Sequence, residues 1–157
     1  MMQTPIYDVA ALLPHSGRMV LLDEISAYDE HSLIAYANVK PQQILVTDGC
    51  LPSWAAMEMM AQGVAAWAGA LACDAGEPVR LGFLLGTRKL QLYFSTLPVP
   101  AVLQVKIQAS LQDTNGFGVF DSQLWLCDQT RTPNRLLAEA ALNVYSPTEN
   151  ILMHDDE

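Results

Sequence analysis

The sequence predicts an α+β roll: one long apolar helix lying in the concavity of a mainly antiparallel sheet of five to six strands. Three observations carry this. The stretch 54–72 is built from Ala, Met, Leu and Trp and is apolar almost all the way round, as a helix is when other elements enclose it. The segments 32–40 (SLIAYANVK) and 101–112 (AVLQVKIQASLQ) alternate apolar with polar residues, the period-2 pattern of a half-buried strand. From residue 80 onward strand follows strand, so the single helix has to cover the apolar face of the sheet.

Taken in order, residues 17–26 (GRMVLLDEIS) read as a short strand after a Pro14-His15-Ser16-Gly17 turn. Asp29, Glu30 and His31 form a polar turn into the strand 32–40, which makes a hairpin. An irregular stretch, 41–52, leads to Ser53, expected to cap the helix N-terminus. Within the helix Glu58 and Gln62 are four apart and share a face, and Asp74, Ala75 and Gly76 end it. The next strand, 80–94, carries Gly82 and Gly86, which suggest a bulge or bend. Pro98 and Pro100 mark a turn before 101–112, and Asn115-Gly116 is a hairpin signal leading into 117–127. A polar loop, 128–135, joins the last strand, 136–145. The expected order is β-β-α-β-β-β-β, a single domain with its core at about 8–146 and a C-terminal tail at 147–157.

A chain of 157 residues and 17.2 kDa, 51% hydrophobic and 16% charged, has the material for one full core. Seventeen acidic against eight basic residues give a net charge of −9, which argues against a nucleic-acid partner or a polybasic membrane patch. Arg80, Arg88 and Lys89 form the one tight basic cluster. Cys50, Cys73 and Cys127 are widely spaced and odd in number, which reads as free thiols in a reducing compartment and not as a disulfide framework or metal site. The N-terminus has no basic segment followed by an apolar run, so no signal peptide is expected. The apolar stretch 54–73 is broken by Glu58, Gln62, Gly63 and Gly69 and is expected to be a core helix, with no membrane insertion and a cytoplasmic location.

Specific residues narrow the fold. Leu13-Pro14-His15-Ser16-Gly17-Arg18-Met19, then Leu21-Leu22-Asp23, resembles the opening of bacterial 3-hydroxyacyl-(acyl-carrier-protein) dehydratases. Pro52, Glu58 six positions on, and Ala61-Gln62 resemble the start of that family's central helix. Gly82-Phe83-Leu84-Leu85-Gly86, with Pro98 and Pro100 after it, resembles its third strand and exit. In register over residues 8–146, the three motifs imply the hot-dog fold, in which the sheet wraps the helix, and a dimeric working state. More narrowly, the chain resembles the divergent dehydratase homologues of bacterial aryl-polyene clusters, which act beside a more conventional dehydratase subunit. The resemblance implies an acyl substrate linked to acyl carrier protein or to coenzyme A, and a homodimer or a heterodimer with another hot-dog dehydratase subunit. It implies no cofactor and no metal. An acidic carrier would need a local basic spot, for which Arg80, Arg88 and Lys89 are the candidates.

Dehydration of a 3-hydroxyacyl thioester removes a C2 proton and protonates the departing C3 hydroxyl, while charge develops on the thioester oxygen. Imidazole suits the first transfer and a carboxyl the second; backbone N–H groups at a helix N-terminus suit the oxygen. Glu58, a carboxylate one turn inside a greasy helix, is the main catalytic candidate. Ser53, Gln62 and Gly86 are expected to line the substrate site, Gln62 also as a support for Glu58. In the resembling family the catalytic histidine lies 14 residues ahead of the glutamate; here that position is Ile44, and residues 42–47 contain no histidine. The glycine that follows the family's proline is Ser53. His15 is a substitute catalytic candidate, whereas His31 and His154 read as turn and tail residues. Four roles stay open at this point: a subunit whose Glu58 meets a partner's histidine, a dehydratase acting alone through His15, a hot-dog thioesterase, and a non-catalytic structural partner.

Overall fold

The computed structural model describes residues 1–13, 19–79 and 82–146. A one-turn 3-10 helix, Val9–Leu12, precedes strands β1 (Glu24–Tyr28) and β2 (Ser32–Val39). A short strand β3 (Cys50–Pro52) leads into helix α1 (Ala55–Asp74). Five more strands follow: β4 (Phe83–Leu92), β5 (Thr96–Pro98), β6 (Ala101–Gln112), β7 (Phe117–Cys127) and β8 (Pro133–Tyr145). Six of the strands form one antiparallel sheet in the order β1-β2-β6-β7-β8-β4, and β3 pairs with β5 in a separate two-stranded ribbon.

Helix α1 packs on the sheet face lined by Leu103, Val105 and Ile107 of β6, Phe120 and Leu124 of β7, and Ala138 and Leu142 of β8, all buried. Two glycines let it approach. A Cβ on Gly63 would lie 2.8 Å from Val105, and one on Gly69 would lie 2.1 Å from the carbonyl oxygen of Leu12. Trp67 meets Phe120 edge-on at 5.3 Å and donates its indole N–H to the carbonyl of Asp29 at 2.9 Å. Just past the helix end, Gly76, with a φ of 69°, lets Glu77 N–H bond back to the Ala72 carbonyl at 2.9 Å. No helix among the described residues is long and apolar enough to cross a membrane.

Strands β6 and β7 have the expected bounds, and Gly116, at φ 98°, turns between them. Elsewhere the expectations need correction. The first strand begins at Glu24 and not at residue 17, and residues 14–18 lie outside the described residues. The irregular stretch ends in β3, and the turn at Pro98 carries β5, so two short strands join the expected order. Ser53 does not cap the helix: Trp54 occupies that position, with no side-chain bond to the helix. The expected tail, 147–157, lies outside the described residues.

The two edges of the sheet differ. The outer side of β1 is bridged by Ile6, which exchanges both backbone bonds with Ile25 at 2.8 Å. The outer side of β4 has no strand beside it among the described residues. β4 slips register twice, between Leu84 and Gly86 and between Arg88 and Gln91, and Lys89 in the second bulge has a φ of 56°. Leu84, Leu85, Leu90, Leu92 and Tyr93 are all exposed there, Leu85 to 58%.

Candidate functional site

The first turns of α1 carry the site. Gln62 is fully buried, and its side-chain oxygen accepts the Leu21 N–H at 2.8 Å. That bond fixes which end of the amide is which, because a backbone N–H requires an acceptor. The amide nitrogen is therefore the group that donates to the Met19 carbonyl and, at 3.1 Å, to Glu58 Oε1. Glu58 itself is half-buried. Gln62 thus ties the strand-like segment before β1 to the helix and presents a donor to the carboxylate one turn ahead of it.

Buried and fully engaged, Gln62 stands behind Glu58 and offers no open surface of its own. Ser53, half-buried, donates its N–H to the Ser95 carbonyl at 3.0 Å and accepts the Ala56 N–H at 3.1 Å. This places the helix start beside the chain leaving β4. Gly86 lies on β4 itself, where an added Cβ would meet nothing within 4 Å. The helix start, one turn ahead of Glu58, is therefore held against the chain leaving β4, and Trp54, 59% exposed, sits there.

No histidine among the described residues stands near Glu58. The loop replacing the histidine segment has Ile44 exposed and turns at Asp48-Gly49, with φ values of 53° and 73°, so that Thr47 and Cys50 exchange backbone bonds. Asp48 is thus a turn residue. His31 is exposed, 3.6 Å from Glu30 in the β1–β2 turn. Trp67 ties that turn to the helix, nine residues or about 13 Å along the axis from Glu58. His15 and Arg80 lie outside the described residues.

The surface of the single chain has a concavity of about 480 Å3 on the outer sheet face, lined by Lys89, Lys106, Asp121 and Glu139 among others. Two smaller ones lie by Trp67 and Leu71 and by Glu24 and Arg131; Glu58 lines none of the three. Sequence reasoning missed the last of these sites. There Arg131 pairs with the buried carboxylate of Glu24 and lies 4.0 Å over the Tyr36 ring. Nothing in a polar loop marks one arginine as the residue that reaches back across the sheet. Cys50, Cys73 and Cys127 are free thiols; burial, with Asp128 nearby, pushes the Cys127 thiol above its usual range, so it is held as the inert thiol.

The profile of the ApeP-like family, described as the ApeP dehydratase, matches residues 7–154. No curated protein matches the chain. Among solved structures, the dehydratase heterocomplex ApeI:P from Xenorhabdus doucetiae contains a chain similar to this one, with 27% identity, a TM-score of 0.81, and coverage of 99% of this chain and 100% of that one. A hypothetical thioesterase from Streptococcus pneumoniae, solved with coenzyme A, has 15% identity and a TM-score of 0.58, covering 78% and 84% of the two chains. A mutant thioesterase from Pseudomonas aeruginosa has 17% identity and a TM-score of 0.62, covering 92% and 96%. At that identity the two thioesterases share the hot-dog fold and carry no statement about activity.

Proposed function

The chain belongs to the ApeP-like dehydratase family, and from that premise we propose that it is one subunit of a two-chain 3-hydroxyacyl-thioester dehydratase. Its substrates are then acyl chains on an acyl carrier protein, in the cytoplasm, in aryl-polyene-type biosynthesis. Glu58 serves as the acid of a site that a different hot-dog subunit completes with its histidine. The observation that carries this reading is a Glu58 oriented by Gln62 at the start of the central helix, in a chain whose segment 42–47, 14 residues ahead of it, holds no histidine. The similar chain in a dehydratase heterocomplex supports it, as does the open β4 edge beside the helix start.

In this reading the partner's imidazole takes the C2 proton and Glu58 delivers a proton to the C3 hydroxyl. Water leaves, the C2–C3 double bond forms, and N–H groups at the start of α1 hold the thioester oxygen as charge builds on it. Gln62 is a positioning residue that keeps the carboxyl of Glu58 aimed. Ser53 at the helix start and Gly86 on β4 face the acyl path.

The test is turnover of a 3-hydroxyacyl-carrier thioester by the purified chain, by its co-purifying hot-dog partner, and by both together. The chain alone should be nearly inert, and the pair active. Glu58→Gln should lower turnover of the pair by about 10²- to 10⁴-fold with an unchanged melting curve, because it removes one member of an acid/base pair while keeping its shape. Robust turnover by the chain alone would move the site to His15. Unchanged turnover with Glu58→Gln would leave the chain a structural partner.

A further inference from the structure

We infer that Arg88 and Lys89 select an unlike partner at the β4 edge: they oppose pairing of two copies of this chain and favour a subunit whose facing strand carries Asp or Glu. The inference rests on the proposal that β4 meets a second hot-dog subunit, and it names the chemistry of that subunit's edge.

The eight basic residues of this acidic chain are sparse, yet two stand next to each other in the middle of β4, which has no strand on its outer side among the described residues. Both are exposed, and neither side chain makes a hydrogen bond or ion pair with a described residue. They are flanked by exposed Leu84 and Leu85 on one side and Leu90, Leu92 and Tyr93 on the other. The flanks have the character of a contact surface and the centre does not. Lys89 also holds a φ of 56° inside a bulge, and bulges and lysines are devices that interrupt edge-to-edge pairing. Asp121 and Glu139 line the same outer-face concavity as Lys89, but neither forms an ion pair with it among the described residues.

Two like copies pair about a two-fold axis, which sets residues opposite one another symmetrically around the strand centre. The centre of Phe83–Leu92 falls between residues 87 and 88. Any register within a residue or two of that centre gathers four cationic side chains within roughly 10 Å, comparable to the screening length at physiological salt. Like charges facing each other across a strand pair are destabilising, and opposite charges are stabilising. A partner strand with carboxylates at those positions turns the same residues from an obstacle into a register mark, as charged positions do in other selective interfaces.

A second copy of this chain, altered at the two positions, serves as the probe. Self-association of the wild type is compared by sedimentation velocity with Arg88→Gln/Lys89→Gln and Arg88→Glu/Lys89→Glu, whose folding is checked by circular dichroism. The neutral variant should self-associate at least about tenfold more tightly than the wild type. An equimolar mixture of wild type and the charge-reversed variant should form a mixed pair at least about tenfold tighter than either forms alone, weakening with added salt. Equal self-association of wild type and neutral variant would overturn the inference, as would a mixture no tighter than its components. If the charge-reversed variant does not fold, the neutral variant decides. Unchanged self-association with weakened binding of an acidic carrier protein would assign the pair to carrier docking instead. These readouts involve no substrate, so an inactive complex sinks the dehydratase reading and leaves the charge result standing.

Discussion

Arg131 reaches from the β7–β8 loop across the end of the sheet to the carboxylate of Glu24, which is only 7% exposed. Breaking a fully buried pair costs about 3–5 kcal/mol; Arg131 is itself half exposed, so Arg131→Met should cost about 1–3 kcal/mol in urea denaturation. Tyr28 is a second pin: its hydroxyl donates to Asp74 at 2.8 Å and accepts the Met2 N–H at 2.8 Å. Burial, then the bond to Asp74, raises its pKa above the ordinary value of 10.0. A raised acid adds stability that is fully present below the unfolded pKa and is lost as pH climbs through the folded one. Stability should therefore fall above about pH 10, and Tyr28→Phe should flatten that part of the curve while costing about 1–2 kcal/mol at neutral pH. Glu58 was legible in the sequence because a carboxylate in a greasy helix is conspicuous. How Gln62 aims it was not, since its partners at Met19 and Leu21 are backbone atoms that no side-chain pattern reveals.

Gly69 shows the same limit at the level of an element. In the sequence it reads as a break in an apolar run; in the fold it is where the helix touches the carbonyl of Leu12. Alanine is the better helix former by about 1 kcal/mol, yet Gly69→Ala should lower stability by about 1–3 kcal/mol, because a Cβ 2.1 Å from a backbone oxygen forces the 3-10 turn away. A rise in melting temperature would show that the Val9–Leu12 turn yields freely. Long elements were readable: β6 and β7 alternate along much of their length, and the helix is apolar apart from Glu58, Gln62 and its terminal Asp74. The start of β1 was not. Leu21 donates its N–H to the Gln62 side chain, and the Asp23 carboxylate accepts the Asn38 N–H at 2.7 Å, so 19–23 looks like strand but bonds largely to side chains. β3 and β5, three residues each, hold through their mutual pairing and the Ser53–Ser95 bond, neither of which is local in sequence.

At the scale of the molecule, a net charge of −9 argues against a nucleic-acid partner. Composition could not show that two of the few cations sit together on β4 at the end of the sheet, since that depends on which strand ends the sheet. The asymmetry of the edges has a consequence for stoichiometry. Ile6 already occupies the outer backbone groups of Ile25, so a strand adding on the β1 side would meet them already bonded at that point. A subunit with both edges free can add neighbours indefinitely and build a fibre. Among its described residues the open side is β4, and a neighbour on β4 that is closed on its own far side would end growth by strand addition there.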